Sequence, residues 1–369
     1  MRFSLLLSWY ICRRFLGAFF GALGVIMGLI YLFDVVELMR RAATHGDAGL
    51  SVILEMAFFK LPNMVQLILP FAVMIGAMIA FWTMTRSREL VVTRSAGISA
   101  WQFLTPVLLV ALVIGVFNVT AFNPMSATLY KRYQKLEDLM LMRNGGNPLL
   151  VGETGLWLRE TQPGDQVMVL HSVLVRQEGF ELLLRQVSVY VSDTDTHFRY
   201  SLEARSGAMR DGQFRLQDVL LIRPGQPVEH FDHYDFSTQL TMARVQDNFA
   251  SPETISFWQL PGFIHFFEST GFSASRQKLY YQSLLASPLL LLAMVLVAAV
   301  FSLKPNLRSG GILARVVGGV VAGFVFYFFS KVIFALGLSQ TLPASLAAWA
   351  PTVVAGLFGS AALFHLEDG

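Results

Sequence analysis

The sequence predicts a membrane α-helical protein of six transmembrane helices, with an all-β jelly-roll domain inserted between helices three and four. Three observations predict it. Six long apolar segments run along the chain, each near the roughly 20 residues that cross a bilayer core. The stretch of about 123–279 between the third and fourth is too long for a structureless loop and carries alternating, β-branched runs. Only 14% of the 369 residues are charged and 54% are hydrophobic. An ordinary soluble domain is about 25% charged, so much of this surface faces something other than water.

The first segment follows Arg2, Arg13 and Arg14 and runs apolar from Phe15 to Val36. That is about twice the h-region of a signal peptide, and no A-x-A cleavage site follows, so it reads as a retained membrane helix. The six spans fall at about 15–37, 57–83, 100–122, 280–303, 312–336 and 345–365. Pro106 and Pro351 sit near helix starts, where proline is tolerated. Pro62 and Pro70 predict a kinked or late-starting second helix.

Short-loop charge sets the orientation. Arg2, Arg13 and Arg14, then Arg86, Arg88 and Arg94, then Lys304, Arg308 and Arg315 share one side if the helices alternate, and that side is expected to be cytoplasmic. The loop Gly337–Ser345 carries no charge, and the 1–2 loop balances Arg40, Arg41 and Lys60 with Glu37, Asp47 and Glu55. Both termini are therefore expected inside, in a multi-pass inner (cytoplasmic) membrane protein, with the inserted domain in the periplasm.

In that domain Leu156-Trp157-Leu158, Gln166–Val175, Phe180–Ser192 and Phe198–Ala204 read as strands, and Asp211-Gly212 is a two-residue hairpin signal. Short antiparallel strands with turn punctuation predict a sandwich or jelly roll. The flanks Ser126–Met142 and Ser256–Ser269 read as helical. The expected division is 1–125 for helices one to three, 126–275 for the β domain with its helical flanks, and 276–369 for helices four to six.

Several function classes are excluded. There is no Walker A, HExxH or G-x-S-x-G, so the chain reads as non-catalytic, and any ATP hydrolysis belongs to a separate protein. The net charge of +3 is dispersed around apolar segments rather than gathered on one face, which argues against nucleic acid. Cys12 is the single cysteine, which leaves no disulfide framework or Cys-based metal site within one chain. His230, Asp232, His233 and Asp235 alternate faces along a strand, so no metal centre is expected.

The segment from Thr85 to Gly97 predicts a short amphipathic helix, at about 85–97, between two spans. Leu90, Val91 and Val92 would bury one side, Arg86, Glu89 and Arg94 would stay exposed, and Gly97 would end it. A positive-inside anchor accounts for the arginines but not for Glu89; a helix across the membrane face is also how a permease docks into an ATPase. Gly17, Gly21, Gly24 and Gly28 form one stripe on helix one, and Gly319 and Gly323 repeat small-xxx-small spacing in helix five. Such stripes serve either intrachain packing or close approach to a partner. Arg40 and Arg41 lie just beyond the outer end of helix one. They read either as a snorkelling anchor or as a guanidinium clamp for phosphates. Lys131 and Arg132, where helix three emerges, could add phosphate contacts or simply form a solvated face. Asp34 is an intramembrane ionisable group for which Lys331 is the expected partner, within or across chains.

The string Ser87-Arg88-Glu89-Leu90-Val91-Val92, followed by Ser95-Ala96-Gly97, resembles the coupling segment of the LptF/LptG lipopolysaccharide export permease family. Arg315-Val316-Val317-Gly318 through Gly323-Phe324-Val325-Phe326-Tyr327 and the six-helix plan extend the likeness over nearly the full chain, on the LptG branch of that family. The resemblance implies a heterodimer with an LptF-like sister permease, powered by an LptB-like ATPase dimer that binds ATP and magnesium, with no cofactor in this chain. It implies LptC-like and LptA-like periplasmic jelly-roll partners and extraction of lipopolysaccharide from the outer leaflet. It also implies ATPase coupling through Glu89, helped by Arg86, Arg88 and Arg94, and phosphate contacts at Arg40, Arg41 and Lys131. A lateral gate would form where helix one of each permease meets helix five of the other. Asp34 is a departure, standing where some relatives carry a basic residue. The alternative is a mechanotransmitting permease that drives a periplasmic partner and carries no lipid.

Overall fold

The structure, a computed structural model, describes residues 5–45, 49–95, 99–140, 149–152, 155–162, 166–178, 181–193, 198–210, 212–238, 251–269, 273–303 and 311–367. The described chain forms helices α1 (Leu5–His45), α2 (Leu50–Arg86), α3 (Glu89–Ser95), α4 (Ala100–Phe117) and α5 (Asn123–Met140). Strands β1 (Leu149–Gly152), β2 (Gly155–Gln162), β3 (Gln166–Glu178), β4 (Glu181–Asp193), β5 (Phe198–Arg210), β6 (Gln213–Ile222) and β7 (Glu229–Ser237) follow. Helices α6 (Leu260–Ser269), α7 (Ser275–Ser302), α8 (Gly311–Leu338) and α9 (Ala344–Glu367) complete it. Among the described residues six helical stretches are long and apolar enough to cross a membrane, three before and three after the β-sheet along the chain.

Backbone chemistry explains where these helices start and bend. Ser99 caps α4: its hydroxyl accepts the Gln102 amide at 3.2 Å while the Gln102 side chain accepts the Ser99 amide at 3.3 Å. Helix α2 begins at Leu50, well before the expected 57, and runs through Pro62 and Pro70 without a break. Pro288 of α7 cannot donate to the Leu284 carbonyl, and the Ser287 hydroxyl does so instead at 2.8 Å. A π-helical turn, Asn118–Phe122, joins α4 to α5 just before Pro124. Pro124 leaves the Thr120 carbonyl without its helical donor, and the Trp258 indole N–H fills the place at 3.0 Å. At Gly76 a side chain is impossible without movement, because a Cβ there would lie 2.6 Å from Phe19 Cα; α1 and α2 meet backbone to backbone.

The described chain divides into two compact units. The membrane unit takes Met1–Glu137, Glu253–Pro261 and Ser275–Gly369, so most of α5 stays with the helices. Its core is built from Phe15, Phe19, Met74, Phe81, Leu104, Leu291 and Ala355, on α1, α2, α4, α7 and α9. Asn123, 1% exposed, ties three elements together: its amide donates to the Tyr280 hydroxyl (3.1 Å) and to Gln66 (3.4 Å), and its oxygen accepts the Phe257 amide (2.8 Å). Burial is uneven. Only 17% of the apolar window of the first span and 11% of the fifth are buried, against 39–50% in the other four.

The second unit, Asp138–Pro252 with Gly262–Ala274, holds one antiparallel sheet in the sequential order β1 to β7. The expected hairpin joins β5 to β6, where Arg210 pairs with Gln213 and Gly212 takes φ +76°, a region glycine enters without a Cβ penalty. The sheet's alternation flips parity along one line. Buried residues are Met168 and Leu170, Val187 and Val189, Leu202 and Ala204, and Val219 and Leu221 on one side of it. Beyond it they are Val175, Leu182, Leu184, Met209, Phe214 and Leu216. Gln186 (φ 52°) and Asp218 (φ 56°) adopt left-handed backbone at this crease, and pairing skips there on each adjoining strand. A bulge bends its strand, so a crease across several strands lets one sheet enclose its own apolar face. Phe263, Phe266 and Phe267 of α6 pack on that face.

Candidate functional site

Two charged assemblies stand at opposite ends of α1, both within the membrane unit. At its C-terminal end Asp34 is ion-paired with Lys60 of α2, side chains 14% and 18% exposed, and the Lys60 ammonium lies 5.4 Å from the Tyr133 ring centre. The expected pairing of Asp34 with Lys331 is therefore corrected within the chain, where Lys60 takes that place. Lys331 is exposed on α8 with its ammonium 5.4 Å from the Tyr327 ring centre. Packing of α1 on α2 brings Lys60 to Asp34 first.

One turn on, Glu37 holds both candidate guanidiniums. Arg40 donates to it from Nε and Nη2 at 2.9 and 2.8 Å, and Arg41 from Nε at 2.9 Å. The i,i+3 and i,i+4 spacing makes this geometry automatic on a helix. Arg41 also reaches Glu137 of α5 at 3.2 Å, and the Tyr133 hydroxyl donates to the same carboxylate oxygen at 2.9 Å. Arg40 and Arg41 are thus together, as expected, but already carry carboxylate partners. Lys131 is exposed on α5 and joins none of these bonds among the described residues.

At the other end, α2 stops at Ser87, whose amide donates to the Thr83 carbonyl at 3.0 Å. Arg88 then takes φ 61°, breaking the helix direction so that α3 starts afresh at Glu89. Glu89 Oε1 accepts from the Ser87 hydroxyl (2.8 Å) and the Tyr10 hydroxyl (3.1 Å), with Arg14 Nη2 at 4.0 Å. Arg14 Nε donates in turn to the Tyr10 hydroxyl at 3.1 Å. The Arg86 guanidinium lies 5.8 Å from the Trp82 ring centre, Arg86 and Arg88 are both exposed, and Arg94 lies on α3. The expectation that Val92 is buried is corrected: it is 67% exposed and lines, with Glu89, Leu7, Met84 and Phe103, an apolar groove of about 430 Å³. The helix-ending Gly97, and Lys304 and Arg308 of the 4–5 loop, lie outside the described residues.

The glycine stripes differ from one another. At Gly17, Gly21, Gly24 and Gly28 an added Cβ would meet nothing within 4 Å, so that face of α1 is open. At Gly319 and Gly323 of α8 it would collide with the thioether ends of Met78 and Met74 of α2. These two glycines serve packing inside the chain.

Among the described residues no group of three or more His, Cys, Asp or Glu could hold a metal ion; His230 instead bonds Asp218 at 2.8 Å across β6 and β7.

The family model described as lipopolysaccharide export system permease LptF/LptG matches residues 9–365. The chain belongs to the LptF/LptG family. Among curated LptF/LptG proteins it is similar to the lipopolysaccharide export system permease protein LptG of Haemophilus influenzae, 23% identical over 350 residues, covering 94% of each chain. It is also similar to the LptG protein of Escherichia coli K12, 24% identical over 357 residues, covering 93% of each. An LptF/LptG permease of this sequence is a multi-pass membrane protein with a role in lipopolysaccharide export. Sequence reading missed Tyr10 and Arg14 at Glu89, and Glu37, Lys60, Tyr133 and Glu137 near Arg41. Two signals were available: the Glu37 spacing to both arginines, and Lys60 standing inside the second apolar segment.

Proposed function

We propose that this chain is the transmembrane subunit of an ABC transporter that extracts lipopolysaccharide from the outer leaflet of the inner membrane and passes it to a periplasmic bridge. The observation that carries the reading is the bareness of the first and fifth spans, 17% and 11% buried, together with an open glycine face on the first. Exposed Phe20, Leu29 and Phe33 on α1, and Val321, Phe324 and Phe328 on α8, suit acyl chains or a partner helix. An LptF-like sister permease would close these faces into a cavity.

In this reading both termini and Glu89 lie in the cytoplasm, and the β domain lies in the periplasm beside LptC-like and LptA-like jelly rolls. An LptB-like ATPase dimer, holding ATP and magnesium, would seat against Glu89 and the groove beside it. Its closure would reach α1 through Tyr10 and Arg14, so that motion at one end of this helix bears on Arg40 and Arg41 at the other. Those guanidiniums would take lipid phosphates bidentately. Each buried methylene holds the lipid by about 0.8 kcal/mol, so release of several chains needs an imposed collapse of the cavity. The prior engagement of both arginines by Glu37 favours a second reading, in which the cluster is structural and the permease drives a periplasmic partner without lipid.

Affinity purification in mild detergent, with mass spectrometry of proteins and lipids, tests both. A sister permease, a small ATPase and lipopolysaccharide, with the lipid lost in Arg40→Ala/Arg41→Ala, is the expected result. An ATPase without the glycolipid favours the second reading, and no ATPase refutes both.

A further inference from the structure

A second groove, of about 470 Å³, lies between the N-terminal part of α1 and the end of α2. Arg13 and Arg14 stand on its lining, Gly17 and Ala18 keep the α1 side shallow, and Ile79 and Ala80 line the α2 side. Ala80 is buried at 3% while Ile79 is 43% exposed, so the groove has an apolar floor and an accessible wall. Arg13 is exposed and makes no ion pair among the described residues; the Arg14 side chain is 45% exposed and stands 4.0 Å from the Glu89 carboxylate. Two cationic heads over a narrow apolar trough, on a helix that crosses the bilayer, match one kind of molecule in its surroundings.

We infer that this groove binds one anionic glycerophospholipid of the adjacent leaflet, its phosphate on Arg13 and Arg14 and an acyl chain along Gly17, Ala18, Ile79 and Ala80. Guanidinium pairs hold phosphate oxygens in a fork that a zwitterionic choline headgroup would partly offset. A chain lying over Gly17 meets no Cβ, which gives it room beside the backbone. The site also borders the Glu89 assembly. Arg14 is the donor to Tyr10, and Tyr10 is a donor to Glu89, so a phosphate that draws Arg14 loosens α3 from α1. The inference needs only that the chain is in a membrane and stands apart from lipopolysaccharide export.

The test titrates delipidated full-length protein in detergent with phosphatidylglycerol or phosphatidylcholine and reads the first lipid adduct by native mass spectrometry. Phosphatidylglycerol is expected to give a saturable single adduct, weakened about fivefold by Arg13→Gln and about twenty-five-fold by Arg13→Gln/Arg14→Gln. Arg88→Gln, an exposed cation outside the groove, is expected to leave the adduct intact. Equal binding of the two lipids, or an undiminished phosphatidylglycerol adduct in the double variant, overturns the site. A photo-crosslinker in place of Ile79, activated in membranes, is expected to capture lipid. Capture of a polypeptide instead overturns the inference by assigning the groove to a partner helix.

Discussion

Replacing Lys60 by Met isolates an ion pair that the membrane unit largely buries. Asp34 and Lys60 are 14% and 18% exposed, and the second oxygen of Asp34, Oδ2, is buried with no hydrogen-bond partner. Lys60→Met removes the only cation paired with that carboxylate among the described residues. Stripping one partner from a buried pair costs about 3–5 kcal/mol; residual exposure puts this case near about 3. Asp34→Asn keeps the shape and leaves Lys60 a polar contact, so about 2 kcal/mol is expected. The double variant removes both charges and is expected to cost about 2 kcal/mol, giving a coupling near 3 kcal/mol, at the upper end for groups in contact. Reversible denaturant unfolding of the purified protein in mixed micelles measures all four corners of the cycle. Lys331→Met is the internal control and should fall within about 0.5 kcal/mol of wild type, since among the described residues it faces a ring and no carboxylate. Additive single effects, or a larger loss at Lys331 than at Lys60, refute the pairing.

Gly21→Leu should leave the isolated chain folded, because a side chain there meets nothing within 4 Å, yet abolish co-purification of the sister permease; undiminished recovery rejects α1 as the joining face. Gly76→Ala is the opposite case, expected to lower the unfolding midpoint because its Cβ would press on Phe19 backbone at 2.6 Å. Trp258→Phe removes the donor to the Thr120 carbonyl and should cost about 0.5–1.5 kcal/mol, read by the same unfolding assay, with no change counting against the account of the π turn. Glu89→Lys should uncouple ATP hydrolysis from transport in reconstituted vesicles, and wild-type transport would remove Glu89 from the coupling path.

The six spans were legible because the signal is local: about 20 apolar residues in a row suffice, whatever they pack against. The hairpin at Gly212 was legible for the same reason. The crease through Gln186 and Asp218 was not. Its parity flip is visible on each strand only once the register with the next strand is known, and two non-glycine residues carry the left-handed backbone. Glu89 was singled out from its own helix, but Tyr10 lies 79 residues away and enters only because α1 passes the end of α2. The sequence points Asp34 to a cation, but within the chain that cation is Lys60 rather than Lys331. Helical spacing cannot say that α2 rather than α8 delivers it, and by its charge Lys60 reads as part of the 1–2 loop.

The cluster at the C-terminal end of α1 balances three cations, Arg40, Arg41 and Lys60, against three carboxylates, Asp34, Glu37 and Glu137. A neutral cluster is an odd receptor for phosphate unless part of it exchanges. Exposure decides which part. Asp34 and Lys60 are largely buried and stay paired, whereas the Arg40, Arg41 and Glu37 side chains are 71%, 47% and 38% exposed, where ion pairs contribute little. A phosphate offers each guanidinium a second fork of oxygens, so it can take both from Glu37 at small cost. On the lipid-export reading Glu37 is then a competitor that keeps the arginines aimed while empty and speeds departure of the lipid. Glu37→Gln should therefore increase the lipopolysaccharide retained by the purified complex and slow its ATP-dependent release in vesicles. Reduced retention would instead make Glu37 part of the receptor, and unchanged retention would return Arg40 and Arg41 to a structural role.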